Sequence, residues 1–98
     1  MKTKRRQLVR ELVGGETYDY YPLGKHIVSC PEVCRGRPTF KYTRIEVAGV
    51  LEMLAAGYTV EELVKNYRER VTAAALEEAA ILAGKALVEQ VARQAESA

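Results

Sequence analysis

The sequence predicts a mainly α-helical protein, in which a short N-terminal β-hairpin precedes a three-helix, helix-turn-helix-like bundle with a long C-terminal helix. Two observations predict this class. Apolar residues recur at helical spacing through most of residues 47–94, with capping residues at the breaks. Before them, turn residues separate two short stretches that alternate as β-strands do. At 98 residues, the chain predicts one domain, residues 25–98, after an N-terminal arm, residues 1–24.

The arm has a basic start and a weak helical pattern. Over residues 1–13 the apolar side chains fall on one side of a helix, and Gly14-Gly15 then ends the pattern. No apolar segment follows the first cations, so a secretory signal is not expected. No apolar run approaches the roughly 20 residues that cross a bilayer, so no membrane association is predicted and the expected location is the cytoplasm.

The β-hairpin is predicted over about residues 25–45. Ile27-Val28 form its first strand, and residues 35–38, Arg-Gly-Arg-Pro, form the turn. Residues 39–45 then alternate, with Phe40 and Tyr42 on one face. A lone hairpin is marginally stable in water, so it must pack on the helices or pair with a second subunit.

Helices are predicted over about residues 47–56, 60–68 and 73–94. Gly57 supplies the left-handed residue that ends the first helix. Thr59 and Glu62 have the spacing of a capping box that starts the second, and Thr72 caps the third. The short connection around Gly57 fits a helix-turn-helix, although an αα-hairpin in a plain bundle has the same spacing.

The charge is divided unevenly along the chain. Residues 1–45 hold ten Lys or Arg against four Asp or Glu, a net charge of +6, whereas residues 46–98 hold five against nine, a net charge of −4. This division favours an N-terminal half that faces a polyanion. The alternative is chance variation of surface charge in a short chain.

Basic residues on and before the hairpin are the candidate nucleic-acid-binding side chains. Guanidinium groups bind phosphate bidentately, and a two-stranded ribbon fits the major groove. The candidates are Arg35, Arg37, Lys41 and Arg44 of the hairpin, with Lys4, Arg5 and Arg6 of the arm. In the alternative interpretation some of these side chains pair with Glu, and Arg44 fits a structural pairing as well as a functional role. The third helix begins without donors for bases or phosphate.

Metal binding and catalysis are not predicted. His26, Cys30 and Cys34 are spaced by four residues, but a closed zinc site needs four ligands and no further His or Cys is present. With one His, no nucleophile arrangement and no phosphate-binding glycine loop, the sequence indicates neither an enzyme nor a cofactor.

Seven stretches carry a resemblance to a known family. They are residues 27–28 (Ile-Val), 31–38 (Pro-Glu-Val-Cys-Arg-Gly-Arg-Pro), 43–47 (Thr-Arg-Ile-Glu-Val), 54–63 (Leu-Ala-Ala-Gly-Tyr-Thr-Val-Glu-Glu-Leu), 66–67 (Asn-Tyr), 71–72 (Val-Thr) and 75–76 (Ala-Leu). Together they resemble family 433 of domains of unknown function over about residues 25–83. Three positions depart from the family pattern: Arg35 and Tyr42 stand where glycine is usual, and Glu46 stands where proline is usual.

The resemblance implies a β segment before a three-helix, homeodomain-like bundle, often dimeric. It also implies an antitoxin beside a PIN-like nuclease toxin, with repression of its own operon. Arg37 and Arg44 match the family motif. From the residues and the resemblance together, we expect a DNA-binding antitoxin or autoregulatory protein that forms a homodimer. The alternative is a protein–protein interaction module without DNA binding.

Overall fold

The computed structural model describes residues 7–97 and shows an α+β fold. The strands are β1 (Val9–Val13), β2 (Glu16–Pro22), β3 (Ile27–Ser29) and β4 (Thr39–Phe40), and the helices are α1 (Val47–Ala55), α2 (Val60–Asn66) and α3 (Ala73–Ser97). The strands form one antiparallel sheet in the order β1-β2-β3-β4. The prediction of a mainly α protein is therefore wrong, since a four-stranded sheet stands beside the helices.

The two strands that the sequence analysis missed form a hairpin inside the segment treated as an arm. Gly14 and Gly15 have φ values of 59° and 84°, the conformation of a two-residue hairpin turn that favours glycine at both positions. Val9 is paired with Tyr20 and Val13 with Glu16. The helical pattern assigned to residues 1–13 is therefore wrong for β1, because the glycine pair joins two strands and does not end a helix.

The predicted hairpin of residues 25–45 is present with a shorter second strand. Ile27 pairs with Phe40 and Val28 with Thr39. The chain turns immediately afterwards, because the backbone N–H and side-chain hydroxyl of Thr43 both donate to the Phe40 carbonyl, at 3.0 and 2.8 Å. The extended conformation predicted through residue 45 is thus wrong beyond Phe40.

The three predicted helices are present, and their ends follow from local hydrogen bonds. After α1, Tyr58 N–H donates to the Met53 carbonyl and Gly57, at φ 111°, donates to Leu54, which is a Schellman motif. Thr59 and Glu62 form the predicted capping box at α2. Thr72 Oγ1 accepts from Ala75 N–H at 3.1 Å and caps α3.

The core lies between the helices and one face of the sheet. It is formed by Ile27, Phe40, Val47, Val50, Leu63, Val71, Ala75, Leu76 and Ala79. A second, smaller cluster of Tyr20, Val28 and Cys30 lies apart from it. Since neighbouring residues of a strand point to opposite faces, Ile27 and Val28 place β3 between the two clusters.

Only the first part of α3 contributes to the core. Ala75, Leu76 and Ala79 are buried and Leu82 is partly buried, whereas every side chain from 83 to 95 is exposed. We call residues 83–97 distal α3. At 1.5 Å per residue it extends about 22 Å.

Candidate nucleic-acid interface

Arg35 and Arg44 lie on two neighbouring exposed loops. The Cys34 thiol donates to the Arg44 carbonyl at 3.5 Å and joins the loops. Both arginines are exposed, and within residues 7–97 neither makes an ion pair. Lys4, Arg5 and Arg6 fall outside the described residues. Two of the seven predicted side chains are therefore open to an external anion.

Arg35 projects from a left-handed turn. Cys34, Arg35 and Gly36 have φ values of 51°, 55° and 80°. For residues other than glycine this conformation costs roughly 1–2 kcal/mol each. The turn is closed by Gly36 N–H donating to Val33 at 2.9 Å and by Ser29 Oγ donating to the Gly36 carbonyl at 2.6 Å. Strained backbone of this kind concentrates at functional sites, so the turn supports a functional role for Arg35.

Arg37 has an acidic partner inside the chain. Its Nε and Nη2 donate to the two carboxylate oxygens of Glu46 at 2.8 and 3.1 Å. This bidentate pair raises the pKa of Arg37 and lowers that of Glu46. Glu46 is the residue that precedes α1, so the pair ties the loop to the start of that helix. Arg37 is thus first a structural residue, although 55% of its side chain remains exposed.

Lys41 belongs to a cluster with three tyrosines and Glu11. Its Nζ lies 4.8 Å from the Tyr20 ring centroid, 5.0 Å from that of Tyr42 and 3.9 Å from Glu11 Oε2. The Tyr20 and Tyr42 hydroxyls donate to Glu11 at 2.6 and 2.7 Å. These two hydrogen bonds lower the pKa of Glu11. Together with Tyr18, these residues form the tyrosine cluster.

The tyrosine cluster holds the turn that precedes Arg44. Tyr42 has φ 67°, and its N–H donates to the Tyr18 hydroxyl at 2.7 Å. The Tyr18 and Tyr42 rings are 5.1 Å apart. The hairpin of β1 and β2 therefore fixes the turn through side chains that the sequence analysis did not connect. Their separation along the chain gave no local pattern that could have revealed the cluster.

A second group of cations lines an open groove of about 350 Å³ at the start of α3. Lys25, Lys41 and Arg70 lie around it with His26 and Thr72. Lys25 is not among the side chains predicted from the sequence, although it belongs to the basic N-terminal half. The nearby Glu78 carboxylate accepts from the backbone N–H groups of Lys25 and His26, at 2.7 and 2.6 Å.

The thiols and the single histidine do not form a site of their own. Cys30 is buried and Cys34 partly exposed, and neither is in a disulfide. Within the part of the chain that the structure describes, no three His, Cys, Asp or Glu side chains are placed to hold a metal ion. In the same part, no helix is long and apolar enough to cross a membrane.

One comparison with known proteins gives a match. A family model described as a protein of unknown function (DUF433) matches residues 27–86. This range includes all seven stretches that carry the resemblance, together with Arg35, Arg37, Lys41 and Arg44. Comparison with curated proteins and with solved structures gives no match. The matched range begins at β3, so β1 and β2 lie outside it.

Proposed function

The chain belongs to the DUF433 family of proteins of unknown function, and from this premise we propose that it is a homodimeric DNA-binding regulator of the antitoxin type. Its DNA-contacting side chains are Arg35 and Arg44, with Lys25 and Arg70 as further phosphate contacts. It acts in the cytoplasm beside a PIN-like nuclease, the partner that the family resemblance implies.

The observation that carries the proposal is the exposure of Arg35 and Arg44 without an ionic partner within residues 7–97. Phosphate contacts require guanidinium groups that are not already neutralised. Arg10 provides the contrast, because it donates to both carboxylate oxygens of Asp19, at 2.8 and 2.9 Å. The chain thus holds some arginines in bidentate pairs and leaves others open.

The position of the cations favours contact by loops over a recognition helix. Ala73 and Ala74 open α3 without hydrogen-bond donors in their side chains, and Glu77 follows as an exposed anion. An anion at this point repels the phosphate backbone. Arg35 and Arg44 lie instead on the loops between β3 and α1. This arrangement suits a protein that contacts DNA through its loops and not through a recognition helix.

The test is fluorescence anisotropy with the protein's own upstream DNA and a scrambled duplex, over a salt series. Each phosphate contact contributes about 0.9 to the log–log slope of affinity against salt. We expect Arg44→Ala and Arg35→Ala each to reduce the slope by roughly this amount. Arg10→Ala removes the same charge from the paired arginine of β1 and should leave the slope unchanged.

Three results would contradict the proposal. One is the absence of binding at low salt. Another is equal binding to the native and scrambled duplexes, which makes the surface a nonspecific polyanion site. The third is an equal loss of slope in all three variants, because net charge alone then accounts for binding and the loops have no special role.

The second candidate function is a protein–protein interaction module without DNA binding. It is favoured by the apolar side chains of α3 that are exposed, among them Leu87, Val88 and Val91. Co-expression with the product of the neighbouring reading frame tests it: a small, Asp-rich nuclease that co-purifies with the wild type and not with Leu87→Glu would favour this function. Failure to co-purify would count against it.

A further inference from the structure

An apolar seam runs along α3 into its distal part. Ala80, Gly84, Leu87 and Val91 recur at steps of four, three and four, which places them along one side of the helix. Leu87 and Val91 are 62% and 57% exposed, and Val88 beside them is 69% exposed. Exposed aliphatic side chains in one contiguous row mark an interaction surface.

The charges of distal α3 avoid this seam. Among residues 83–95 the charged positions are Lys85, Glu89 and Arg93, and at helical spacing they follow the side of α3 opposite to the seam. None of these charges therefore lies on the seam. Two identical surfaces are not driven apart when the face between them carries no charge.

A largely apolar groove lies next to the seam. It has a volume of about 420 Å³ between α1 and α3. On the α3 side it is lined by Ala79, Leu82, Ala83 and Ala86, and Lys85 and Glu89 also belong to its lining. On the α1 side its lining includes Ala48 and Leu51. Small side chains let another helix approach closely, and Ala83 connects this groove to Leu87 one turn later.

Because one chain carries both a projecting apolar seam and an apolar groove beside it, we propose that two copies pair through α3 in antiparallel orientation. Distal α3 of each copy packs its Leu87 and Val91 side against α3 of the other and into the other's groove. A two-fold axis repeats every contact, so the same surface serves both partners. This inference gives the surface of the homodimer in the proposed function, but it does not depend on DNA binding.

Part of the seam lies outside the range matched by the family model. The match ends at residue 86, before Leu87, Val88 and Val91. The paired surface therefore combines a groove lined mostly by residues of the matched range with a helix extension beyond it.

Sedimentation equilibrium over the micromolar range, without DNA, tests the inference. We expect a reversible wild-type dimer. Leu87→Glu should weaken its association by tenfold or more, about the effect of removing an interface hot spot. Ala92→Glu places the same charge on an exposed position of the same helix, away from the seam, and should leave the dimer intact. Circular dichroism checks that both variants keep the helices.

Mixing opposite charges distinguishes a second copy from another kind of occupant. Leu87→Glu and Leu87→Lys should each associate weakly alone and should regain part of the association when mixed, since like charges brought into one interface repel and opposite charges attract. A wild-type monomer at high micromolar concentration would overturn the inference, and so would a dimer that Leu87→Glu does not weaken. Failure of DNA binding in an intact dimer would reject only the proposed function.

Discussion

At the scale of single residues, backbone conformation fits two positions where the family resemblance implies glycine. Arg35 and Tyr42 occupy these positions, and both have positive φ, 55° and 67°. The chain thus keeps the backbone of a glycine position and adds a side chain. At Tyr42 the side chain joins the tyrosine cluster, whereas Arg35 has no ionic partner among the described residues. At position 35, the effect of the side chain on DNA affinity can therefore be measured separately from its effect on stability.

The first prediction uses this separation. Arg35→Gly should raise the free energy of unfolding by up to about 1 kcal/mol, because glycine adopts the left-handed conformation without strain. It should also reduce DNA affinity. Arg44→Gly is the control: its backbone is not left-handed, so glycine should lower stability by roughly 0.5–1 kcal/mol. Urea denaturation measures both, and a destabilised Arg35→Gly would show that the arginine side chain supports the turn.

The second prediction concerns acid. The pKa values of Glu11, Asp19 and Glu46 are lowered by hydrogen bonds from Tyr20, Arg10 and Arg37. A carboxyl group whose pKa is lowered in the folded state stabilises the protein at pH values above its ordinary pKa. This stabilisation is lost as the pH falls through the pKa of the folded state. The ordinary values are 4.5 for Glu and 3.8 for Asp, so the free energy of unfolding should fall from about pH 5 downwards.

Urea denaturation at several pH values measures this fall. Glu11→Gln should make it shallower, because a neutral amide has no proton to gain. Glu16→Gln in the same hairpin is the control, since the Glu16 side chain is exposed and makes none of the described side-chain hydrogen bonds. An identical pH dependence in wild type and Glu11→Gln would remove Glu11 from the acid response.

At the scale of elements, features that local sequence signals determine were predicted correctly, whereas features that long-range contacts determine were not. The capping box of Thr59 and Glu62 and the cap at Thr72 are fully local, and both were predicted. The β1–β2 hairpin was missed because Gly14-Gly15 ends a helix as readily as it joins strands. The strand conformation is favoured by the pairing of β2 with β3, in which Tyr21 lies opposite Ser29. No local sequence pattern contains this pairing.

The candidate site was predictable to a similar degree. The sequence identified the cations between β3 and α1 but not which of them have partners. Arg37 and Glu46 are nine residues apart, and Lys41 and Glu11 thirty, so only the fold shows that these two cations are engaged. The sequence contains no feature that distinguishes Arg35 and Arg44 from these two paired cations.

The third prediction concerns the junction of α3 with the loop before β3. A Cβ on Gly24 would lie 2.7 Å from the Glu78 carboxylate, which accepts from the N–H groups of Lys25 and His26. Gly24→Ala must displace that carboxylate and should cost about 1–2 kcal/mol of stability, the value of two partly exposed hydrogen bonds. In a Glu78→Ala background the same change should cost little. A double-mutant cycle by urea denaturation measures the coupling, and additive costs would contradict this account.

At the scale of the whole molecule, the protein consists of the range that the family model matches and two further segments. The matched range, residues 27–86, contains β3, β4, α1, α2 and the buried part of α3. The β1–β2 hairpin precedes it and the last part of α3 follows it. These two segments differ in how they pack on the matched range. Tyr20 of the hairpin is buried against Val28, whereas the side chains of residues 87–95 are all exposed.

The fourth prediction follows from this difference. Truncation after residue 86 should change the free energy of unfolding by less than about 1 kcal/mol, because substitutions at exposed positions rarely exceed this range. The truncated chain should still bind DNA through its loops, although without the seam it should be monomeric. Denaturation followed by circular dichroism and sedimentation measures both properties. A truncated chain that fails to fold would place part of the core beyond residue 86.

The sheet order has a consequence for solubility. β1 is the outer strand, so one side of its backbone has no neighbouring strand among the described residues. Such an edge is a template for uncontrolled pairing between molecules, and Leu12, 78% exposed on this strand, increases that risk. The five-residue length of β1 and the charges of Arg10 and Glu11 limit it. Replacing those two charges would be expected to favour aggregation, in addition to removing the contacts of Arg10 with Asp19 and of Glu11 with the tyrosine cluster.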